Sequence, residues 1–137
     1  MKTSARNELD GTIVEVKSGA VMSEVIVEVS EDITVYATIT NDSKEALALQ
    51  NGQSVSLLIK SSFMILSKEQ LRATARNNIQ TTVLDVKKGA VNGEVKLSLG
   101  DKTLYAVITN ESIEELGLAK GDSVYAIFKA SSVILVA

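Results

Sequence analysis

The 137-residue chain is 45% hydrophobic and 23% charged with a net charge of −3, the balance of a globular protein with one ordinary domain or two small ones. It has no Cys and no His, which excludes disulfide frameworks, thiol chemistry, Ser/His and Cys/His nucleophile pairs and most transition-metal ligand sets. Only 4% of the residues are aromatic and the balance is acidic, so a basic, base-stacking nucleic-acid surface is not expected. No apolar run approaches the roughly 18 residues of a membrane span. The opening from Met1 to Leu9 has no apolar secretory core, so a cytoplasmic protein without membrane contact is the expectation.

In chain order, Ile13, Val14, Glu15, Val16 and Lys17 predict a strand that ends at a turn on Ser18 and Gly19. A second strand follows, with Val25, Val27 and Val29 buried and Glu24, Glu28 and Ser30 facing water. The third turns Val35, Ala37 and Ile39 inward against Thr34, Tyr36, Thr38 and Thr40. The one helical pattern runs about two turns, from near Ser43 through Leu47 to Leu49, with Asn41 or Ser43 as N-cap and Asn51 and Gly52 as the stop. Val55, Leu57 and Ile59 form a fourth strand. Phe63, Met64, Ile65 and Leu66 form a fifth, apolar on both faces and therefore in need of a second covering surface.

The same order then repeats. Ala5, Arg6 and Asn7 return as Ala75, Arg76 and Asn77, Gly19 to Val21 as Gly89 to Val91, and Tyr36 to Ile39 as Tyr105 to Ile108. Gly52 returns as Gly121 and Lys60 as Lys129. Such self-similarity marks a duplication. The expected division is 1–67 and 68–137, joined through the polar segment from Ser67 to Thr74, short enough for the halves to touch. The fold class is all-β: two tandem five-stranded barrels of the oligonucleotide/oligosaccharide-binding (OB) type, each with one short helix after its third strand. A unit of this size without metal or disulfide has a thin core, which favours packing of the fifth strands on each other or on another chain.

Catalysis would rest on carboxylates, Lys, Tyr or Ser, and Glu15, Glu24 and Glu28 fall where solvated faces do, with no acid/base pair, so an enzyme is not expected. What recurs in both halves is a set of anion ligands. It comprises Ser4, Ala5 and Arg6 with Thr74, Ala75 and Arg76; Thr40 and Ser43 with Thr109 and Ser112; and Lys60 and Ser61 with Lys129 and Ala130. A buried tetrahedral dianion needs many short donor contacts and compensating positive charge, which hydroxyls, amides, Lys and Arg provide. The plainer alternative stays open: helix caps, solvated lysines and arginines in ion pairs produce the same residues.

Together, the Thr3, Ser4, Ala5, Arg6, Asn7 opening, the Gly19, Ala20, Val21, x, x, Glu24, Val25 turn, the Ile39, Thr40, x, x, Ser43 step and the Ile59, Lys60, Ser61, Ser62 close resemble the molybdopterin-binding-protein (Mop) repeat, also called the transport-associated OB domain. The second half matches equally, through Gly89, Ala90, Val91 and Asn92, then Leu116, Gly117 and Leu118, then Lys129, Ala130 and Ser131. The resemblance implies a stand-alone two-repeat protein that binds molybdate or tungstate as an oxyanion ligand, with no cofactor and no metal cation. It implies storage or homeostasis, because neither a helix-turn-helix nor a nucleotide-binding domain accompanies the repeats. It also implies a homo-oligomer, a trimer of such chains, with the anion between modules. Thr40, Ser43 and Lys60 of one module would then meet Ser4 and Arg6 of another, and Thr109, Ser112 and Lys129 would meet Thr74 and Arg76. Thr74, Ala48 and Thr81 depart from the repeat pattern, so unequal sites are expected. The rival readings are an oligonucleotide-binding module, which Tyr36, Tyr105 and Tyr125 alone do not furnish, and an assembly module without ligand.

Overall fold

The computed structural model describes residues 2–137. The first half contains β1 (Asn7–Ser18), β2 (Met22–Ser30), β3 (Ile33–Thr40), α1 (Asn41–Ala46), β4 (Ser54–Ile59), a 3-10 turn at Ser61–Phe63 and β5 (Ile65–Ser67). The second repeats it as β6 (Asn77–Lys88), β7 (Asn92–Leu99), β8 (Lys102–Thr109), α2 (Asn110–Leu116), β9 (Ser123–Phe128), a 3-10 turn at Ala130–Ser132 and β10 (Ile134–Val136). The all-β reading with a short helix after each third strand is borne out. Alternating side chains set the strand faces: Val25, Val27, Val35 and Ala37 are fully buried, as are Val95, Leu97, Leu104 and Ala106 in the other half.

β1 is longer at its start than the apolar pattern predicts. Its first residues, Asn7 to Thr12, pair with β4, and from Thr12 to Ser18 it pairs with β2. A bulge between Ile13 and Glu15 leaves Val14 outside the ladder and 44% exposed, and β6 has the same bulge around Leu84. An extra residue on one strand bends and twists it. That bend lets one strand serve two neighbours and curls each sheet. Gly11 lies in this crossing, where a Cβ would stand 2.6 Å from Val27 Cγ1 and 2.7 Å from the Glu28 carbonyl oxygen. Its counterpart Thr81 is buried, and its hydroxyl is satisfied by donating to the Val124 carbonyl at 2.9 Å.

The two halves exchange their last strands. One sheet has the order β10-β4-β1-β2-β3 and the other β5-β9-β6-β7-β8. Leu135 pairs with Leu57, and Leu66 with Ala126, both antiparallel. One hydrophobic core therefore runs through both halves, with Leu9, Leu57 and Leu66 in the same cluster as Leu97, Leu104 and Leu135. Within one chain each fifth strand is covered on one face only. Met64, Leu66, Val133 and Leu135 point inward, but Phe63, Ile65 and Ile134 are 49, 62 and 59% exposed.

Both helices start earlier than the pattern predicts, at Asn41 and Asn110, and their caps are Thr40 and Thr109, so that Asn41 and Ser43, the expected caps, lie inside the first turn. They also end earlier. Ala48 at φ 50° and Gly117 at φ 60° take the left-handed conformation, while Gly52 and Gly121 belong to the turns before β4 and β9.

Candidate functional site

The opening motif of each half reaches across to the other half. Asn7 is buried at the start of β1; its Nδ2 donates to the Tyr105 carbonyl at 2.8 Å and its Oδ1 accepts from the Tyr105 amide at 2.7 Å. Asn77 does the same to Tyr36, at 2.8 Å in both directions. Each asparagine thus stands in for a neighbouring strand on the edge of β8 or β3. A buried amide and carbonyl left without such partners would cost about 1–3 kcal/mol each.

The arginines before them are committed to the same contact. Arg6 donates from Nε and Nη2 to the two carboxylate oxygens of Glu94, at 3.0 and 3.1 Å, and its guanidinium lies 3.7 Å from the centre of the Tyr105 ring. Arg76 donates from Nε to Glu24 at 3.0 Å and lies 3.9 Å from the Tyr36 ring centre. The hydrogen bond to Glu94 outweighs desolvation and raises the Arg6 pKa; Glu24 does the same for Arg76. Both guanidiniums are charged at every working pH. Half of each arginine side chain remains in solvent, so these pairs orient more than they stabilise.

Strand register then brings the lysines to the same place. Asn7 pairs with Ile59 and Asn77 with Phe128, which sets Arg6 beside Lys60 and Arg76 beside Lys129. In the first half a groove of about 510 Å³ results, lined by Ser4, Ala5, Arg6, Lys60 and Ser61, with Phe63 as part of its apolar wall. Lys60 Nζ stands 5.7 Å from the centre of the Phe63 ring. Among the described residues neither Lys60 nor Lys129 takes part in an ion pair. One amide of the opening is already used, since Ala5 donates to Thr3 Oγ1 at 3.1 Å; the second half has Ala73 there.

The helix caps lie outside this groove. Thr40 Oγ1 accepts from the Ser43 amide at 3.1 Å and donates to Ser43 Oγ at 2.9 Å, and Thr109 and Ser112 repeat this at 3.1 and 2.8 Å. Within one chain these hydroxyls are caps that Ser4 and Arg6 do not meet, and Lys60, expected with the caps against the opening of another module, lies beside Ser4 and Arg6 of its own because β1 and β4 are paired. The residue after each cap ties the helix start to the Gly-Ala-Val turn: Asn41 donates to the Gly19 carbonyl at 3.0 Å and Asn110 to the Gly89 carbonyl at 2.8 Å. The caps are not equivalent. Ser23 donates to Asn41 Oδ1, whereas Gly93 has no hydroxyl to offer and Asn110 Oδ1 is buried without a partner. Ile113 fills the space over Gly93, while its counterpart Lys44 reaches Ser18 Oγ at 2.7 Å.

The residues that sequence reasoning missed are Glu24, Glu94, Tyr36, Tyr105, Asn7 and Asn77. Glu24 is not on a solvated face; it is half-buried against Arg76. The available signal was their recurrence: Glu24 and Glu94, like Asn7 and Asn77 and Tyr36 and Tyr105, are identical in the two halves.

The TOBE domain model matches residues 3–66 and 73–135. The molybdenum transport protein ModE of Azotobacter vinelandii is 42% identical over 137 residues, covering 98% of this chain and 51% of that protein. The molybdenum-pterin-binding protein MopA of Rhodobacter capsulatus is 41% identical over 138 residues, with 98% and 52% covered. The chain spans about half the length of these curated relatives. A solved structure of the cytoplasmic molybdate-binding protein ModG with molybdate bound matches at a TM-score of 0.93 and 38% identity, over 98% of both chains.

Proposed function

This chain belongs to the TOBE domain family, and on that premise we propose that it binds molybdate and tungstate as oxyanions and serves their intracellular storage or homeostasis. The observation that carries the reading is the groove in which strand register sets Ser4, Ala5 and Arg6 beside Lys60 and Ser61. It offers hydroxyls, backbone amides and an ammonium without a carboxylate partner, the donor set a tetrahedral dianion requires. The likeness to ModG with molybdate bound, over nearly the whole of both chains, supports the same ligand. Nothing in the groove pairs a general acid with a general base, so binding without catalysis is the reading.

Each repeat, 1–67 and 68–137, contributes one donor set; in the second it is the Thr74 hydroxyl, the Lys129 ammonium and the backbone of Ala75, Arg76 and Ala130, the Arg76 side chain being committed to Glu24. The caps Thr40 with Ser43 and Thr109 with Ser112 complete these sets from neighbouring copies, which makes the working protein a homo-oligomer, a trimer by its family resemblance, and the likeness to cytoplasmic ModG supports the same compartment. Support comes from Phe63 and Ile134 in the groove wall and from Ile65, all exposed within one chain, and from Val21 and Val91 at 70 and 71% exposure. Equilibrium dialysis against molybdate, tungstate, sulfate and phosphate, with elemental analysis of the retained anion, tests the function. Retention of molybdenum and tungsten above sulfur and phosphorus is expected; no retention of any of the four contradicts the proposal.

A further inference from the structure

Arg6 lines the groove, yet its guanidinium is engaged elsewhere. Arg6 has one face on the Tyr105 ring and two of its N–H groups on both oxygens of Glu94, a residue of β7 in the opposite half. The Glu94 side chain is 30% exposed, and that of Glu24, which holds Arg76, is 24% exposed. These carboxylates are therefore partly desolvated and committed. We propose that Glu94 and Glu24 are positioning residues for selectivity: each holds an arginine off the anion groove, so that the local positive charge comes from Lys60 or Lys129.

The inference rests on the oxyanion-binding reading and deepens it. A planar guanidinium binds any tetrahedral dianion through two parallel hydrogen bonds, sulfate and phosphate as readily as a larger oxyanion. Left unpaired beside Ser4 and Lys60, it would let charge alone decide which anion binds. Neutralised by Glu94, it leaves a groove in which hydroxyls, amides and one ammonium select by fit and by the number of acceptors they satisfy. The aromatic face keeps the guanidinium ordered while the carboxylate takes its charge. The same three-residue arrangement recurs in both halves, Arg6 with Glu94 and Tyr105 and Arg76 with Glu24 and Tyr36, as the duplicated fold brings the same residues together twice.

The test is titration calorimetry of the full chain and of the double variant Glu24→Gln/Glu94→Gln with molybdate, sulfate and phosphate at constant ionic strength. Glutamine keeps the shape and removes the charge. Released guanidinium should tighten sulfate and phosphate by about tenfold and lower the molybdate-to-sulfate preference by a similar factor, as expected for one added charge-assisted pair. Adding Arg6→Gln and Arg76→Gln to the same background should restore the preference, which a merely structural clamp would not do. An unchanged preference in a variant that binds molybdate and melts cooperatively overturns the inference and leaves the proposed function standing. A variant that has lost cooperative melting, so that the clamp serves folding alone, also overturns it. Absence of oxyanion binding by the unaltered chain overturns both.

Discussion

Ala48 and Gly117 occupy the same place at the ends of the two helices, at φ 50° and φ 60°. For an L-residue with a Cβ this conformation costs roughly 1–2 kcal/mol, whereas glycine enters it without penalty but loses about 0.5–1 kcal/mol more chain entropy on folding. The balance predicts that Ala48→Gly stabilises the protein by about 0.5–1 kcal/mol and raises Tm by about 2–3 °C. Scanning calorimetry checks this; a lowered Tm would contradict it. At the helix ends the sequence placed the stops at Gly52 and Gly121 and a cap at Asn41 or Ser43, each late in the chain; the helix itself, after each third strand, was legible. Glu24 and Glu94 were not, because strand alternation says only that they leave the core of their own sheet. That this outer face meets Arg76 or Arg6 depends on how the two halves dock. Asn7 was visible as a repeated residue, yet its two hydrogen bonds are to the backbone of Tyr105, which no side-chain pattern reports.

At the scale of elements, β5 and β10 tie the halves into one cooperative unit. Leu135 belongs to the second half of the chain but packs in the sheet of the first, and Leu66 does the reverse. Neither sheet keeps its fifth strand if the other half unfolds. Unfolding should therefore be a single transition with equal calorimetric and van't Hoff enthalpies. Leu135→Ala should lower the stability of the whole by about 2–4 kcal/mol, without separating the halves. Two resolved transitions, one per half, would refute the coupling. Periodicity identified all five strands of each half, and the bulges and the exchange escaped it for a physical reason. Ile65 and Leu66 resemble Ile134 and Leu135 so closely that either strand fits either seat, and the choice is made by the path of the intervening chain. The early start of β1 escaped for a simpler reason: Asn7, Glu8 and Asp10 are polar, and their pairing with β4 is carried by the backbone.

For the whole molecule, pseudo-symmetry puts one opening motif and one lysine at each of two equivalent places, and each arginine between them is held by a glutamate of the opposite half. The caps at Thr40 and Thr109 lie apart from the groove, so a complete ligand shell in our proposal draws on a second copy, and the uncovered Phe63, Ile65 and Ile134 mark where that copy sits. The most direct test is anomalous diffraction from crystals of the protein grown with tungstate. Tungsten peaks are expected within hydrogen-bond distance of Lys60 Nζ and the Ser4–Ala5 segment, and likewise of Lys129 Nζ and the Thr74–Ala75 segment. Tungsten found at neither place, with the anion present at saturating concentration, would contradict it.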